Sequence, residues 1–578
     1  MKYKDKELTF DPARNPAVLD TVTWDIDGAR ERVSRFTTDD LEPVASAALN
    51  GKPLPDLDGA ILHDASLGRK EAAAAFLVEL DDHQQVFVEA LPGGATPTLG
   101  EPIGQRDLEN GITLVCHAGH AATIHRYFRE YNPEKGSRAL GSTPRLGVGV
   151  RMTTACWPAI LEAMQKRGFS ANIIQNSVRE LNRLDPILGA EPAEKNYACG
   201  FGTIETGYTG STYEGLWVSG VLDALKYPAV LPYGADADHV QVKRGAEGLA
   251  RAKNLLECSR YYSFYTIDMA DILKYEAMNE SSDAGAAAYL DSEIENASLR
   301  KEIMALYRQK RRIGHKEYTF DDATLGRLVG KYWSTLAVME DLAETIRGLK
   351  DGEPFDLEFT MDEHPPEVGA FDCLTSDHET LFVLLELERR AIPVTHIAPN
   401  FGVEKGLDYR CPDGLDGLER RVRSQFAIAE EFGVMLDIHS GDDLTSEPRR
   451  VFQKATGGKN HFKISPMPQI IFADVLEDHD PALFREWWED AVAYATHEAE
   501  AGSEFARECL KELEGRDDKS PSRRHMLFHH YSFRFVGRRD ADGRFLHRER
   551  FYELSPEFYA DYGRRFTDYL CMLAEELF

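Results

Sequence analysis

The sequence lacks the features that mark several large classes of protein. Its eight cysteines stand singly and form no C-x-x-C pair, which disfavours zinc ribbons, iron–sulfur clusters and thioredoxin-like redox centres. No stretch of about 18 apolar residues could cross a bilayer, and the N-terminus MKYKDKELTFDPARNP lacks the apolar segment of a signal peptide. These absences predict a cytoplasmic protein with reduced thiols and no membrane contact.

Positive charge is also in short supply. Lys and Arg together number 67 against 97 for Asp and Glu, so the formal net charge is −30. A field of this sign repels phosphate backbones, and we expect no nucleic-acid partner. An anionic small molecule would need a local cationic pocket. The hydrophobic content of 43% is typical of a soluble globular enzyme. The length of 578 residues suits one large domain with an added segment as well as it suits three small domains.

Residues 1–140 differ in pattern from the rest of the chain. The alternation in AFLVELDDHQQVFVEAL (75–91) predicts a β-hairpin, followed by turn residues in PGGATPTLGEP. We therefore predict an N-terminal α+β appendage over residues 1–140. Its histidines, including those of HAGH (117–120), are interpreted as structural.

From about residue 145, short apolar runs alternate with amphipathic helical stretches, a pattern that predicts a parallel sheet covered by helices. Most runs end in Asp, Glu, His or Asn. This favours an α/β (β/α)8 TIM-type barrel, whose strands converge on one mouth, over an open doubly wound sheet, because no run is followed by G-x-G-x-x-G. We predict a metal-dependent catalytic barrel over residues 141–578. Nine runs are candidates for its eight strands, so one of the terminal pair is expected outside it: 145–151, 171–178, 229–240, 263–271, 355–363, 394–401, 434–441, 461–467 and 525–533.

Residues 272–354 interrupt this alternation. The segment runs from ILKYEAMNE through SEIENASLRKEIMALYRQKRR to WSTLAVMEDLAETIRGLKDG, and all three stretches have helical periodicity. We predict a helical insertion between two barrel strands, acting as a lid or an interface element and carrying no obvious chemistry.

Two histidines at predicted strand ends suit a metal site. GADADHV places His239 beside Asp236 and Asp238, and LDIHSGDD places His439 at the end of another strand. Imidazole and carboxylate groups are ligands for Zn²⁺, Mn²⁺ and similar divalent ions. We predict that His239 and His439 share one ion at the barrel mouth. The alternative is that each histidine satisfies a buried loop.

Two glutamates are the natural acid and base. Glu180 lies in QNSVRELNR and Glu358 in the apolar run DLEFT. An enzyme that epimerises a carbon, or makes and breaks an aldol bond, needs a base on one face of the substrate and an acid on the other. A structural salt bridge is the alternative for Glu180, because Arg179 and Arg183 are nearby in the sequence. Charged and polar side chains near the same strand ends are the predicted substrate contacts: Arg179, Asp236, Asp238, Lys405, Lys463 and His529.

Three other barrel chemistries fit less well. Amidohydrolase-type barrels, which include uronate isomerases, carry an H-x-H pair that is missing here, and radical enzymes need a three-cysteine cluster that is also missing. A glycosidase would use two carboxylates at strand ends, which Glu180 and Glu358 could supply. That interpretation leaves the histidines unexplained.

At these residues the chain resembles the tagaturonate (fructuronate) epimerases. The resemblance covers about residues 145–470 and extends more loosely to the C-terminus. It rests on many short matches in the same order: NSVRE (176–180), GADADHV (234–240), YTID (265–268), FDLEF with DE (355–363), LLELERRAIPVTHIAPNF (384–401), EKGLDY (404–409), IHSGDD (438–443), KATGGKNHFK (454–463) and DPALFREWW (480–488).

The resemblance implies a metal-dependent enzyme that inverts one hydroxyl-bearing carbon of a keto-uronate, interconverting tagaturonate and fructuronate. Some relatives act on the ketohexoses fructose and tagatose. Carried over by motif, Glu180 is the expected proton acceptor, Glu358 the donor, and His239 and His439 the metal ligands, with His461 as a further ligand or substrate contact. The expected cofactor is a divalent Zn, Mn, Ni or Co ion, and the expected partner is a small sugar or sugar acid.

The chemistry of the substrate constrains the mechanism. Because the inverted carbon lies β to the ketone, its own hydrogen is not acidic, so retro-aldol cleavage and re-closure is the favoured route. The chain departs from the family pattern where substrate contacts are expected, with RLGVGVRMTT in place of G-x-G-D-R-L-G and MDEHPPEVGAFDCLTSDH in place of D-E-T-x-x-P-T. Another metal-dependent sugar isomerase or aldolase, or a catalytically silent sugar-binding homologue, remains an alternative. The oligomeric state is open, with a homo-oligomer among the alternatives.

Overall fold

A closed barrel of eight parallel strands lies at the centre of the protein. Each strand pairs with the next along the chain, and the last pairs with the first. The predicted (β/α)8 TIM-type barrel is therefore confirmed. Its strands are β1 (Arg145–Gly149), β2 (Ser170–Ser177), β3 (Tyr233–Gln241), β4 (Phe264–Asp268), β5 (Asp356–Thr360), β6 (His396–Ala398), β7 (Met435–Ile438) and β8 (His461–Ile464).

The computed structural model describes most of the chain. The described residues are 2–3, 6–7, 19–151, 154–177, 180–189, 191, 193–198, 202–207, 209–517, 520–540 and 545–578. Their helices are α1 (Ile26–Ser34), α2 (Thr38–Asn50), α3 (Ala121–Glu130), α4 (Trp157–Arg167), α5 (Leu184–Gly189), α6 (Tyr213–Lys226), α7 (Ala246–Cys258), α8 (Asp283–Glu293), α9 (Ala297–Tyr307), α10 (Asp322–Lys350), α11 (Asp377–Arg389), α12 (Gly414–Glu431), α13 (Ser446–Thr456), α14 (Pro466–His479), α15 (Pro481–Glu500), α16 (Glu504–Glu514), α17 (Met526–Tyr531), α18 (Arg534–Gly537) and α19 (Pro556–Leu577).

The ninth predicted strand is wrong. Residues 525–533 contain α17, in which Leu527, Phe528 and Tyr531 are buried together. A short apolar run of this kind is compatible with a strand or a buried helix, and periodicity cannot separate them. The first eight runs fill the barrel, and the chain after β8 continues as helices, of which α19 packs against α4 and α14 beside the seam between β8 and β1.

The barrel strands are buried on both faces, as expected of a parallel sheet with side chains inside and helices outside. One of the outer helices comes from the predicted insertion. Helix α10 follows β4 and packs against α7 and α11, so it belongs to the helical layer of the barrel. The same segment also contains an antiparallel strand pair, Arg311–Ile313 with Lys316–Tyr318, where only helices were predicted. The spacing of apolar residues did not indicate this pair, because its two strands are short and mostly polar.

A six-stranded antiparallel sheet precedes the barrel. The predicted hairpin is present as Ala73–Leu80 paired with Gln85–Pro92. One face of this sheet packs with α1 and α2 around a separate core, while Leu77 and Phe87 on the other face join the core that includes the barrel. The remaining strands of the sheet are Ala60–Leu62, Gly68–Lys70, Gly104–Asp107 and Ile112–Ala118.

Among the described residues, four short strand pairs lie outside the barrel and the six-stranded sheet. They include Lys2–Tyr3 with Lys6–Glu7, Leu181–Asn182 with Ser211–Thr212, and Lys195–Ala198 with Gly202–Glu205, besides the pair in the segment after β4. Within the part of the chain that the structure describes, none of the helices combines the length and the apolar character needed to cross a membrane.

A buried ion pair joins opposite sides of the barrel at the start of its strands. Arg145 Nη1 lies 2.9 Å from Asp356 Oδ2, and the two side chains are 0% and 1% exposed. Asp356 also accepts hydrogen bonds from the backbone N–H groups of Leu140 and Gly141 at 2.8 and 2.9 Å. These contacts tie the entry of the chain into β1 to the start of β5.

Because removal of one partner leaves the other charge buried, we expect Arg145→Leu to lower the free energy of unfolding by about 3–5 kcal/mol. The matched control is Arg423→Leu, which breaks the exposed i,i+4 pair with Glu419 and should cost less than about 1 kcal/mol. Denaturant unfolding of the two variants measures both values. Equal losses would show that the buried Arg145–Asp356 pair contributes no more to stability than the exposed Arg423–Glu419 pair.

Candidate active site

Polar side chains from the carboxyl ends of the strands converge on the mouth of the barrel. Strand β3 brings His239, β4 brings Asp268, the residues after β5 bring Asp362 and Glu363, and His439 directly follows β7. Parallel strands present these ends on one side of a barrel, which is where barrel enzymes carry out their chemistry.

The backbone at the end of β3 turns His239 toward this site. In strict alternation Asp236 and Asp238 would face inward and His239 outward. The pairing of β3 with β4 shifts register between Ala237 and Val240, and His239 has φ +52°. This bulge with a left-handed residue re-aims the imidazole, an energetically unfavourable conformation of the kind found at functional sites.

The structure brings the two predicted histidine ligands together. The ring centroids of His239 and His439 are 4.8 Å apart, with an angle of 78° between the ring planes. Asp362 Oδ2 lies 2.9 Å from His439 Nδ1. One donor atom each from His239, Asp362 and His439 fall within 4.8 Å of one another, so two imidazoles and a carboxylate form one compact set.

Two further carboxylates stand behind His239. Its Nδ1 is 3.5 Å from Asp268 Oδ2 and 3.8 Å from Glu363 Oε1. Asp268 is held by the backbone N–H of Ala270 at 3.0 Å, and Glu363 pairs with the ammonium of Lys405 at 2.7 Å. Carboxylates in this position orient the ring of a metal-ligating histidine. Lys405, predicted as a substrate contact, is therefore paired with a carboxylate.

Glu358 lies directly beneath the histidine pair and is fully buried. Its Oε1 is 2.9 Å from His439 Nε2, and its Oε2 is 3.2 Å from Lys463 Nζ. Burial raises the pKa of Glu358 well above its ordinary value, and the charge of Asp437 adds to the shift. The carboxyl group therefore favours its protonated form. Burial alone would lower the pKa of His439, but Asp362 and Glu358 raise it well above its ordinary value.

Lys463 is an internal cation of the barrel. Its Nζ donates to Thr266 Oγ1 at 2.6 Å and to Asp238 Oδ1 at 2.9 Å, and lies 3.1 Å from Asp236 Oδ2. The side chain is 4% exposed. Burial opposes the charged form, yet the surrounding carboxylates raise the pKa of Lys463 well above its ordinary value. Asp236 and Asp238, both predicted as substrate contacts, are thus paired with Lys463, a third predicted contact.

His461 lies deeper than the other two predicted ligands, at the first residue of β8. Its Nδ1 is 2.7 Å from Asp437 Oδ2, and it forms a separate set of metal-type donors with Glu358 and Asp437. Burial lowers the pKa of His461 to about 4, so the ring is neutral. Lys463 Nζ stands 3.2 and 3.5 Å from the two carboxylates of this set, which places a fixed positive charge where a cation would bind.

Glu180 lies at the end of β2 and pairs with an arginine that the sequence analysis did not select. Arg151 Nε is 3.0 Å from Glu180 Oε1, and the backbone N–H of Ser177 donates to Glu180 Oε2 at 3.2 Å. Both side chains of the pair are largely buried. A salt bridge, the alternative held open for Glu180, is therefore present, and its partner Arg151 lies two residues after β1. Arg179 lies outside the described residues.

Helix α17 packs against α15 and α16 and approaches the loop after β6 through His530 and Gly406. His529 is half-buried, and burial together with the charge of Arg151 lowers its pKa to about 4. His530 approaches Gly406, whose Cα offers no room for a side chain because a Cβ would lie 2.1 Å from His530 Nε2. The C-terminal helices therefore reach the loops after β1 and β6, which explains how His529 comes near the site although no strand carries it.

The sequence analysis missed five site residues. Asp268 lies in YTID, Glu363 in MDEHPPEVGAFDCLTSDH and Arg151 in RLGVGVRMTT, all of which the sequence analysis quoted. The signal that could have found them is position, since each lies at a strand end or within three residues after it. The other two missed residues are Asp362 and Asp437.

The donor set at the mouth fits a divalent cation. Nδ1 of His239 and Nδ1 of His439 are buried and face carboxylates, of Asp268 at 3.5 Å and of Asp362 at 2.9 Å, without a hydrogen bond of good geometry. A cation bound among these imidazoles and carboxylates would give the buried atoms a partner. Two imidazoles with one carboxylate are ligands suited to Zn²⁺ and to Mn, Ni or Co ions. The fold and this site define a barrel enzyme with a candidate metal centre.

Comparison with known proteins identifies the family. The sequence model of UxaE, tagaturonate epimerase, matches residues 65–562. The chain belongs to the tagaturonate epimerase family, and the resemblance seen in the sequence is confirmed. Family membership places it among the epimerases. No match was found among curated protein sequences.

Solved structures show the same fold. The native crystal structure of fructuronate-tagaturonate epimerase UxaE from Cohnella laeviribosi is similar with a TM-score of 0.63 at 19% identity, covering 90% of this chain and 97% of that chain. A crystal structure of the same enzyme complexed with two glycerol molecules gives a TM-score of 0.66 at 19% identity, covering 92% and 98%. The likeness therefore spans nearly the whole of both chains.

Two neighbouring carboxyl groups, those of Asp442 and Asp443, follow β7 and make the stability of the protein depend on pH. Burial and the neighbouring Asp442 raise the pKa of Asp443 from 3.8 to about 8. Between pH 3.8 and about pH 8, Asp443 is protonated in the folded state and ionised in the unfolded chain. Its contribution to the free energy of unfolding therefore becomes more unfavourable as the pH rises through this range. We expect Asp443→Asn, which retains an oxygen for the N–H of Gly406, to be increasingly more stable than the wild type from about pH 4 to about pH 8. Urea unfolding across this range checks it, and a stability difference independent of pH would contradict it.

Proposed function

We propose that this protein is a divalent-metal-dependent sugar epimerase. Its proposed reaction inverts one hydroxyl-bearing carbon of a keto-uronate, interconverting tagaturonate and fructuronate, or of a ketohexose, interconverting fructose and tagatose. The observation that carries the proposal is the set of His239, Asp362 and His439 at the barrel mouth, directly above Glu358, in a chain of the tagaturonate epimerase family.

His239, Asp362 and His439 are the residues that would hold the ion. Three protein ligands leave coordination positions open for substrate, as in catalytic metal sites. A divalent ion bound there would supply Lewis acidity toward the oxygen atoms of the sugar. We place the ion here rather than beside His461, because Lys463 already supplies positive charge to Glu358 and Asp437.

The two glutamates divide the proton transfers in this proposal. Glu180, paired with Arg151, takes the proton from the hydroxyl group on the carbon to be inverted. The bond between this carbon and its neighbour next to the ketone then breaks, giving an aldehyde and an enediolate. The aldehyde turns over, the same bond forms again on its other face, and Glu358 returns a proton to the new hydroxyl oxygen. The raised pKa of Glu358 supports its role as the donor.

Removal of metal should abolish the reaction. We expect the purified protein to convert tagaturonate to fructuronate, followed by ¹H NMR, and to lose this activity after treatment with a chelator, with recovery on addition of Mn²⁺, Ni²⁺, Zn²⁺ or Co²⁺. His239→Ala and His439→Ala should bind less metal by elemental analysis, because each removes a ligand.

The control for these variants is His315→Ala, at an exposed position in the strand pair after α9, which should keep both metal and activity. Full activity of the chelated protein, or an unchanged metal content in both histidine variants, would disprove the metal centre. Binding of sugar without turnover, unaffected by metal, would identify a silent homologue.

The glutamates should matter for turnover far more than for stability. We expect Glu358→Gln and Glu180→Gln each to lower kcat by about 10²–10⁴-fold, since each removes one positioned proton-transfer group. Both variants should remain folded under the assay conditions, although Glu180→Gln is expected to lower the unfolding midpoint because it removes the charge that pairs with the largely buried Arg151. Glu388→Gln, at an exposed position on α11, is the matched control. A variant that retains wild-type kcat shows that its glutamate takes no part.

The route of inversion can be tested with carbon isotopes. Two samples of substrate, each ¹³C-labelled in a different half, are mixed and incubated with the enzyme. Retro-aldol cleavage should produce some product carrying both labels, and an aldehyde that a trapping reagent captures. Exchange of solvent deuterium into the carbon next to the ketone would instead indicate an isomerase. Inversion without exchange of fragments and without trapped aldehyde would weigh against the retro-aldol route, and absence of solvent exchange would weigh against an isomerase.

A further inference from the structure

A cavity of about 160 Å³ lies inside the N-terminal sheet region, away from the barrel mouth. The sheet contributes Phe76, Val86 and Leu114 to its lining, and the helical side contributes Val33, Phe36 and Val44. These residues belong to or pack on the second hydrophobic core, which is separate from the core that includes the barrel. The cavity is therefore independent of the proposed epimerase site.

Apolar side chains make up most of the cavity lining, and they come from the sheet, from α1 and α2 and from the segments between these elements. Protein interiors are normally packed with few voids larger than a water molecule. An apolar cavity of about 150 Å³ stays dry and accepts a benzene-sized molecule. This cavity therefore has the volume and lining for one ring or a chain of about six carbons.

A cationic group stands at the rim of the cavity. Arg106 is on the strand Gly104–Asp107 at the edge of the sheet, in register with the lining residue Leu114. Its guanidinium makes one long contact, with the carbonyl oxygen of Ser34 at 3.4 Å. Among the described residues no carboxylate lies within ion-pair distance of Arg106, whereas Arg30, also at the rim, is paired with Asp27 at 2.7 Å. Arg106 is thus available to an anionic group.

We propose that this cavity binds a small apolar carboxylate, of the size of hexanoate or benzoate. The hydrocarbon part occupies the space between the sheet and the two helices, and the carboxylate binds the guanidinium of Arg106. Apolar pockets with a small number of placed polar groups are the usual form of small-molecule sites. An arginine fork matches the two oxygens of a carboxylate.

The test uses hexanoate and its neutral counterpart hexanol, with the full-length protein labelled at methyl groups. We expect hexanoate to shift the methyl signals of Leu114 and Val44, to leave those of the barrel residue Ile267 unchanged, and to bind about tenfold more tightly than hexanol. Arg106→Gln should weaken hexanoate binding by about tenfold and leave hexanol binding unchanged. Val88→Phe, at a half-buried lining position, should remove binding of both by filling the cavity.

The methyl shifts locate the ligand in the wild type, so the test does not depend on the folding of Val88→Phe. The proposal is overturned if neither compound shifts the methyl groups of the cavity lining, or if shifts occur only elsewhere. Equal binding of hexanoate and hexanol, unaffected by Arg106→Gln, would overturn the role of Arg106 and with it the carboxylate as the ligand class.

Discussion

The arrangement of charge inside the barrel depends on Lys463. One ammonium group lies within 3.5 Å of carboxylates from three other strands, those of Asp236, Asp238, Glu358 and Asp437. Transfer of so many charged groups out of water is costly unless they are paired with good geometry. Lys463 supplies much of that compensation, and it reaches the site from β8, next to the seam where the barrel closes on β1.

The polar side chains of the barrel form two sets, one around Lys463 and one nearer the mouth. Lys463 and its partners occupy the centre of the barrel, while His239, Asp362 and His439 form a set nearer the mouth. Glu358 connects the two layers, with one oxygen toward Lys463 and the other toward His439. A carboxyl group held between a fixed cation and an imidazole is restricted in orientation, which is what a proton-transferring group requires. The proposed chemistry thus follows from the position of Glu358 between the layers.

The sequence indicated the architecture because a parallel barrel leaves a repeated local signal. Each strand is a short apolar run closed by polar residues, and eight of the nine such runs were placed correctly. The error at residues 525–533 arose because Leu527 and Phe528 pack in a helix as well as they would in a strand. The insertion also contributed more than predicted, since α10 completes the helical layer after β4.

Within the candidate site, the sequence alone could point to His239, His439 and Glu358, because they stand in or directly after predicted strands, in motifs that resemble those of the tagaturonate epimerases. Tertiary structure decided which groups meet. Strand register and backbone conformation determine the bulge that turns His239 inward, the pairing of Glu180 with Arg151, and the position of His461 in a different donor set from His239 and His439. Residue type is a local property that the sequence states directly, whereas distances between residues hundreds of positions apart exist only after the barrel has closed.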